Sequence, residues 1–254
     1  DPGEHGYLHL FVVTNSSDEG MADGALGTFR MLRQLGRSEV MPSVARLEHD
    51  DYWQAKLDAL REEHFAALRK LTAYYDRADA MGKLDGPIER LEIERDELVR
   101  QYKELAGKIH QERKAPITPT EVPGLKVHIC TLVAPDSPPD NWLEVYIHSK
   151  LMIIDDVFTT LGSANINERS MSSDSELNIC VEDPAVARPL RRQLWGLHTG
   201  EETPEDIKEA FKVWTKKIKE NKRRRIQQDV PMLLRPKQSL VEFLRTSPSR
   251  KNVD

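Results

Sequence analysis

The sequence predicts an α/β fold interrupted by a long helical hairpin. Three observations carry this. Short apolar runs of strand length, such as Leu8–Val13 and Val145–Ile154, alternate with stretches whose apolar residues recur at helical spacing. Strand, polar loop and helix follow one another, which is the building unit of α/β proteins. Between the two α/β regions, residues 48–114 are dense in charge and nearly free of Gly and Pro. The composition fits: 254 residues, 39% hydrophobic, 31% charged, formal charge −5. Such a chain is long enough to bury a core and too apolar for a disordered polymer. No apolar run approaches the ~18–20 residues that span a bilayer as a helix. No basic segment leading into an apolar one, the pattern of a signal peptide, is visible.

The first region, 1–47, opens with Leu8–Val13 as a buried strand. A turn-rich stretch from Thr14 to Gly20 follows, then a helix over Met21–Leu35 with Leu26, Phe29, Leu32 and Leu35 near helical spacing. In 48–114, Trp53, Leu57 and Leu60 step by four and three. After a break at Leu84-Asp85-Gly86-Pro87, Leu91, Leu98, Tyr102, Leu105 and Ile109 continue the rhythm of a two-helix seam, interrupted by Arg95. The Pro suits the first turn of a second helix. Such a pair either packs on the body as a solvated hairpin or serves as a lid or partner-binding element.

The region 115–200 returns to α/β. Leu125–Val133 and Val145–Ile154 read as strands, the second so unbrokenly apolar that it belongs at the centre of a sheet. Asp155-Asp156 reads as a hairpin turn into Val157–Leu161. Leu177–Val181 is a further strand. Pro184–His198 is a helix with Asp183 as N-cap and Pro184 at its first position. Two cysteines, Cys130 and Cys180, exclude a disulfide scaffold and a cysteine zinc cage. Both lie in strand-like runs and are expected as buried thiols. His5, His128 and His198 have no partner at metal-ligand spacing and read as structural. Trp142 precedes the apolar strand, where it is a candidate for the mouth of a pocket.

Residues 201–254 read as a basic helical extension. From Thr203 onward 14 Lys and Arg stand against 7 Asp and Glu, and Ile207, Phe211, Trp214 and Ile218 mark one helix face. The run Lys222-Arg223-Arg224-Arg225 either complements the helix dipole or touches anionic lipid or nucleic acid.

One stretch carries chemistry. His148 and Lys150 are two apart on a strand, so their side chains share a face. Burying Lys150 unpaired is costly, so it calls for an anion, either a carboxylate or a substrate phosphate. Ser163 and Asn165, also two apart, can face the same point if the loop stays extended. A nucleophile or acid, a fixed cation and two neutral donors suit a phosphate oxyanion. The carboxylate cluster of a two-metal phosphodiesterase is missing.

His-x-Lys-x4-Asp followed after six residues by Gly-Ser-x-Asn is matched by His148, Lys150, Asp155, Gly162, Ser163 and Asn165. It resembles the HKD signature of the phospholipase D superfamily. The flanking residues, with Asp174-Ser175-Glu176, resemble the second HKD motif of eukaryotic-type phospholipases D. Leu190–His198 resembles the helix after it, and Leu8–Leu35 the strand and helix between the two motifs. The resemblance covers two blocks and leaves 48–114 looking like an insertion.

The resemblance implies a phospholipase D-like sheet flanked by helices. It implies hydrolysis of a glycerophospholipid to phosphatidic acid and free headgroup through a phosphohistidine. In such enzymes two HKD motifs meet, one histidine attacking phosphorus and the other acting as acid and base. His148 would take the acid/base role. Lys150 and Asn165 would bind phosphate oxygens, with Ser163 as a further donor. Glu176 would hold the other ring nitrogen of His148. Asp155 is carried over with the catalytic motif, in a mainly structural or hydrogen-bonding part. No metal or other cofactor is implied.

The implied partners are a phospholipid at a membrane surface and another chain or an upstream segment carrying the first motif. The missing initiator Met and the single motif make a C-terminal part of a larger enzyme the expectation. The compact Ser172-Ser173 fits bacterial homologues. Some of these are type VI secretion effectors, so a secreted toxin with an immunity or secretion partner is a further expectation. The acidic net charge argues against nucleic acid. A superfamily nuclease or phosphatidyltransferase, and a non-catalytic interaction module built on the hairpin, are the competing readings.

Overall fold

The computed structural model describes residues 6–15, 25–81, 88–166, 168–200, 203–226 and 234–245. The chain divides into two compact units, one of Asp1–Pro42 with Thr118–Asp254 and one of Ser43–Ile117. The architecture is α/β, an open mixed sheet arrangement flanked by helices.

In the first unit, strand β1 (Leu8–Val13) lies parallel to β2 (Leu125–Val133), Leu8 opposite Leu125 and Val13 opposite Cys130. Both strands have the bounds their apolar runs predict. The short strand β3 (Glu144–Val145) pairs antiparallel with β2. Helix α1 (Ala25–Gln34) follows β1 and buries Phe29 and Leu32. It stops at Gly36, whose φ of +73° suits glycine. A Cβ on Gly36 would lie 2.0 Å from the Thr120 carbonyl oxygen, which fixes this close approach of two chain segments.

The predicted single strand Val145–Ile154 is two strands in two sheets. After β3 the backbone leaves the first sheet, and β4 (Lys150–Ile154) begins a second one. There β4 pairs antiparallel with β5 (Phe158–Gly162), and β5 with β6 (Asn178–Glu182), in the order β4-β5-β6, with the short helix α4 (Glu168–Ser172) between β5 and β6. Neither half of the apolar run is central: among the described residues β3 pairs only with β2 and β4 only with β5. The run looks continuous because Ile147, in the crossover, packs against the first sheet's core.

Helix α5 (Pro184–Thr199) begins as predicted: Asp183 Oδ1 accepts from the Ala185 N–H at 2.8 Å, and Gly200 ends it with φ 72°. Helix α6 (Ile207–Ile226) buries Ala210, Trp214 and Ile218. With Cys130, Leu132 and Leu240 the last two form the core, flanked by Phe11, Val13, Ile147 and Trp195. Phe11 meets Trp195 at 4.5 Å and Trp214 edge-on at 4.9 Å. Aromatic contacts of this kind add about 0.5–1.5 kcal/mol each beyond area burial.

The stretch 201–254 is not a helical extension alone. After α6 the chain returns as β7 (Leu240–Glu242), antiparallel to β2. A three-residue strand is too short to show a period in sequence. Its lead-in is clasped by Asn221, fully buried. Its Nδ2 donates to the Gln238 and Leu240 carbonyls at 2.8 and 2.9 Å, and its Oδ1 accepts from the Lys237 N–H at 2.9 Å. Such a buried amide is stabilising only because its bonds are made.

The second unit is built from helices α2 (Pro42–Met81) and α3 (Ile88–Glu112). They run antiparallel. Asp50 accepts from Arg113 at 2.9 Å near one end, and Tyr75 donates to Glu92 at 3.0 Å near the other. Trp53, Ala67, Leu71 and Ile109 are buried along the seam. The break at Leu84-Asp85-Gly86-Pro87 lies outside the described residues.

Candidate functional site

The cross-strand register assembles the motif at one end of the second sheet. Lys150 opens β4 opposite Gly162, the last residue of β5, and Gly162 faces Asn178, the first of β6. Paired residues of neighbouring strands share a face. The two halves of the motif, twelve positions apart at Lys150 and Gly162, therefore become neighbours. Gly162 has a physical reason: a Cβ there would stand 2.2 Å from both the Asn178 Oδ1 and the Leu177 carbonyl.

The loop after β5 is tied to the start of β6. The Ser163 N–H donates to the Leu177 carbonyl at 3.1 Å, and the Ser163 Oγ accepts from the Leu177 N–H at 3.1 Å. Asn178 Oδ1 accepts from the Ala164 N–H at 3.2 Å, while its Nδ2 donates to Thr160 Oγ1 at 3.3 Å. These bonds fix the backbone that leads into Asn165, which is exposed. Asn178 is a residue of this candidate site that sequence reasoning missed. Its signal lies two residues beyond Glu176, at a strand start, where a polar side chain reads as ordinary.

His148 is exposed just before β4, its ring 6.2 Å from that of Tyr146. Lys150 is half-buried and its Nζ donates to the His148 carbonyl at 2.8 Å, which brings the ammonium beside the histidine. No carboxylate pairs with Lys150 among the described residues. Glu176 accepts from Ser170 Oγ at 2.6 Å. Asp155 is not brought to this cluster. It stands at the other end of β4, roughly 16 Å along the strand at ~3.3 Å per residue, in the predicted turn.

That turn has φ of 51° at Asp155 and 56° at Asp156, a conformation short polar side chains tolerate best. It is closed by the Val157 N–H to the Ile154 carbonyl at 3.0 Å. Asp156 receives Arg191 Nε at 2.5 Å and Nη2 at 2.7 Å from α5. Those bonds, with the nearby guanidinium charges, hold its carboxyl below the usual range despite partial burial.

The cysteines separate. Cys130 is fully buried and burial pushes its thiol far up; Cys180 is exposed, because among the described residues nothing covers the face of β6 that carries it. His128 is structural as expected. It stacks on Phe211 at 3.9 Å, and burial pushes it down to about 4. Trp142 donates to the Leu234 carbonyl at 3.1 Å, with Arg225 over its ring at 5.6 Å. His198, lowered by burial, meets Trp214 edge-on. His5 lies outside the described residues.

Among the described residues, the motif end of the sheet is open surface. Leu161, Ile166, Leu177 and Ile179 around it are 43–79% exposed. Among the described residues, no three His, Cys, Asp or Glu side chains group closely enough to hold a metal ion.

Comparison with known proteins falls on the same region. Residues 100–197 match the family described as cardiolipin synthase, PLD-like domain. Phospholipase D zeta 2 of Arabidopsis thaliana is 37% identical over 103 residues, covering 31% of this chain and 10% of that protein. Phospholipase D alpha 4 of the same plant is 46% identical over 63 residues, 22% of this chain and 8% of that protein. A phospholipase D of Phytophthora infestans is 60% identical over 74 residues, 22% of this chain and 4% of that protein. The chain thus spans a tenth or less of the length of these relatives. Part of this chain is a domain of the phospholipase D superfamily, of the HKD type.

Proposed function

We propose that this chain supplies one half of a phospholipase D active site, the half carrying the second HKD motif. The reaction is hydrolysis of the distal phosphodiester bond of a glycerophospholipid to phosphatidic acid and free headgroup. One observation carries the reading. All six motif positions are present, and the Lys150–Gly162–Asn178 row sets the two halves of the motif side by side, next to His148. Similarity to phospholipases D supports hydrolytic chemistry of this general type.

In this reading a histidine of the other half attacks phosphorus. As its N–P bond forms, the P–O bond to the headgroup breaks and His148 passes its proton to the leaving oxygen. His148 then takes a proton from water. That water's oxygen bonds to phosphorus, and the N–P bond breaks. Lys150 and Asn165 donate to the non-bridging oxygens where charge accumulates. Ser163, whose oxygen already accepts from Leu177, keeps its own O–H to donate. Glu176 contributes to holding the imidazole, and Asp155 acts only through the turn that ends β4.

The exposed apolar side chains around the motif support a covering partner, since such clusters mark interaction surfaces. That partner is another chain or an upstream segment bearing the first motif. The outward face of α6 supports contact with a membrane surface. Lys208, Lys212, Lys216, Lys219 and Arg223 follow one another by four, four, three and four, and all are exposed.

The complete protein, incubated separately with phosphatidylcholine or phosphatidylethanolamine vesicles and with plasmid DNA, tests the reading. Headgroup release is the expected result. Cleaved DNA with no released headgroup overturns it.

A further inference from the structure

We infer that Asn15 is a positioning residue for His148, a role that rests on the acid/base reading of that histidine. Asn15 stands immediately after β1, next to Thr14, whose N–H makes a β1–β2 bond to the Cys130 carbonyl at 2.9 Å. Its side chain reaches a residue 132 positions away. The Ile147 N–H donates to Asn15 Oδ1 at 2.6 Å, and Asn15 Nδ2 donates to the Ile147 carbonyl at 2.8 Å. An amide side chain thus takes the place of a strand partner, satisfying both backbone groups of one residue.

The location gives this contact its consequence. Residues 146–149 cross between two sheets and belong to neither ladder. A crossing backbone is the least constrained part of a sheet protein, yet His148 lies in it. On its C-terminal side, His148 is held by β4, and its carbonyl accepts from Lys150. On its N-terminal side the anchor is Ile147. The side chain of Ile147 packs on the core, and its backbone is clamped by Asn15. The peptide joining Ile147 to His148 is therefore fixed from within the first sheet, while the imidazole projects into solvent, where a substrate can reach it. A general acid must meet the leaving oxygen within hydrogen-bond reach, and a misplacement of about 1 Å can cost 10²-fold.

The test uses the complete protein with Asn15→Leu and Asn15→Asp. Leucine keeps the branched shape, though somewhat larger, and removes both bonds. Ionised aspartate keeps the acceptor but sets an oxygen against the Ile147 carbonyl. Protonated aspartic acid reproduces both contacts. The expected result for Asn15→Leu is a fall in kcat of headgroup release of about 10²-fold with KM unchanged. For Asn15→Asp, the ratio of variant to wild-type kcat should rise as pH falls, measured where both are folded.

The ¹⁵N and ¹H signals of the His148 ring should move in Asn15→Leu and return in acidified Asn15→Asp. Unchanged ring signals and kcat within twofold of wild type in a folded Asn15→Leu protein overturn the inference. So does a loss that acidified Asn15→Asp does not recover. If Asn15→Leu does not fold, the Asn15→Asp series alone decides. If the wild-type protein releases no headgroup, the proposed function fails, while the ring signals still decide the role of Asn15.

Discussion

Protonation decides what the motif's histidine does. If His148 donates the proton to the leaving alcohol, its need should shrink when the leaving group is a good one. In the first turnover, before water is needed, His148→Ala in the complete protein is expected to suffer far less on a p-nitrophenyl phosphodiester than on phosphatidylcholine. Equal losses on both substrates would assign His148 to the attack on phosphorus instead.

A second histidine reports on stability. His128 is pushed down to about 4 by burial, so the folded protein keeps it neutral where the unfolded chain takes up a proton. Its contribution is intact above the unfolded value near 6.5. It drains away between there and about 4, by up to about 3 kcal/mol. Denaturant titrations at neutral pH and near pH 4.5 should show a smaller pH effect in His128→Phe than in wild type.

The motif residues were legible in the sequence because their types at fixed spacing resemble the HKD signature. Asn15 and Asn178 were not, because their importance lies in partners 132 and 14 positions away. Cys180 was misread because an apolar run does not reveal which face of a strand is left uncovered.

At the element scale the β4–β5 hairpin is fastened to α5 through Asp156 and Arg191, with side-chain exposures of 20% and 11%. Removing the carboxylate leaves a mostly buried guanidinium short of its partner. Asp156→Ala is expected to cost about 2 kcal/mol, read by denaturant melting, with Arg191→Ala producing a similar loss. The Asp156 carboxyl is held below the usual range. Its contribution is therefore full above the ordinary aspartate value and lost as pH falls through the lowered one.

Elements with a complete pattern were readable in advance. Leu8–Val13 and Leu125–Val133 have the bounds of their apolar runs, and α5 was marked by Asp183 and Pro184. Elements set by tertiary context were not. Val145–Ile154 hides a change of sheet, because Ile147 is held by the core and by Asn15 rather than by a ladder. Strand β7 has three residues, and its place against β2 depends on Asn221.

At the scale of the whole molecule, the acidic chain carries one strongly basic helix. In α6 nine Lys and Arg stand against two Glu, while its apolar face is spent on the core. Contact with a bilayer through α6 would therefore be Coulombic and not by insertion. At about 1 kcal/mol per cation it would be strongly salt-dependent. Replacing Lys216, Lys219 and Arg223 with Glu should abolish sedimentation with phosphatidylserine vesicles at low salt. Binding to phosphatidylcholine vesicles should be unaffected.

In the proposed function His148 does chemistry on a phospholipid. The most direct measurement is headgroup release from phospholipid vesicles by the complete protein, wild type against His148→Ala, with circular dichroism confirming equal folding. A fall of about 10²–10⁴-fold is expected. Release within twofold of wild type in the folded variant would contradict it.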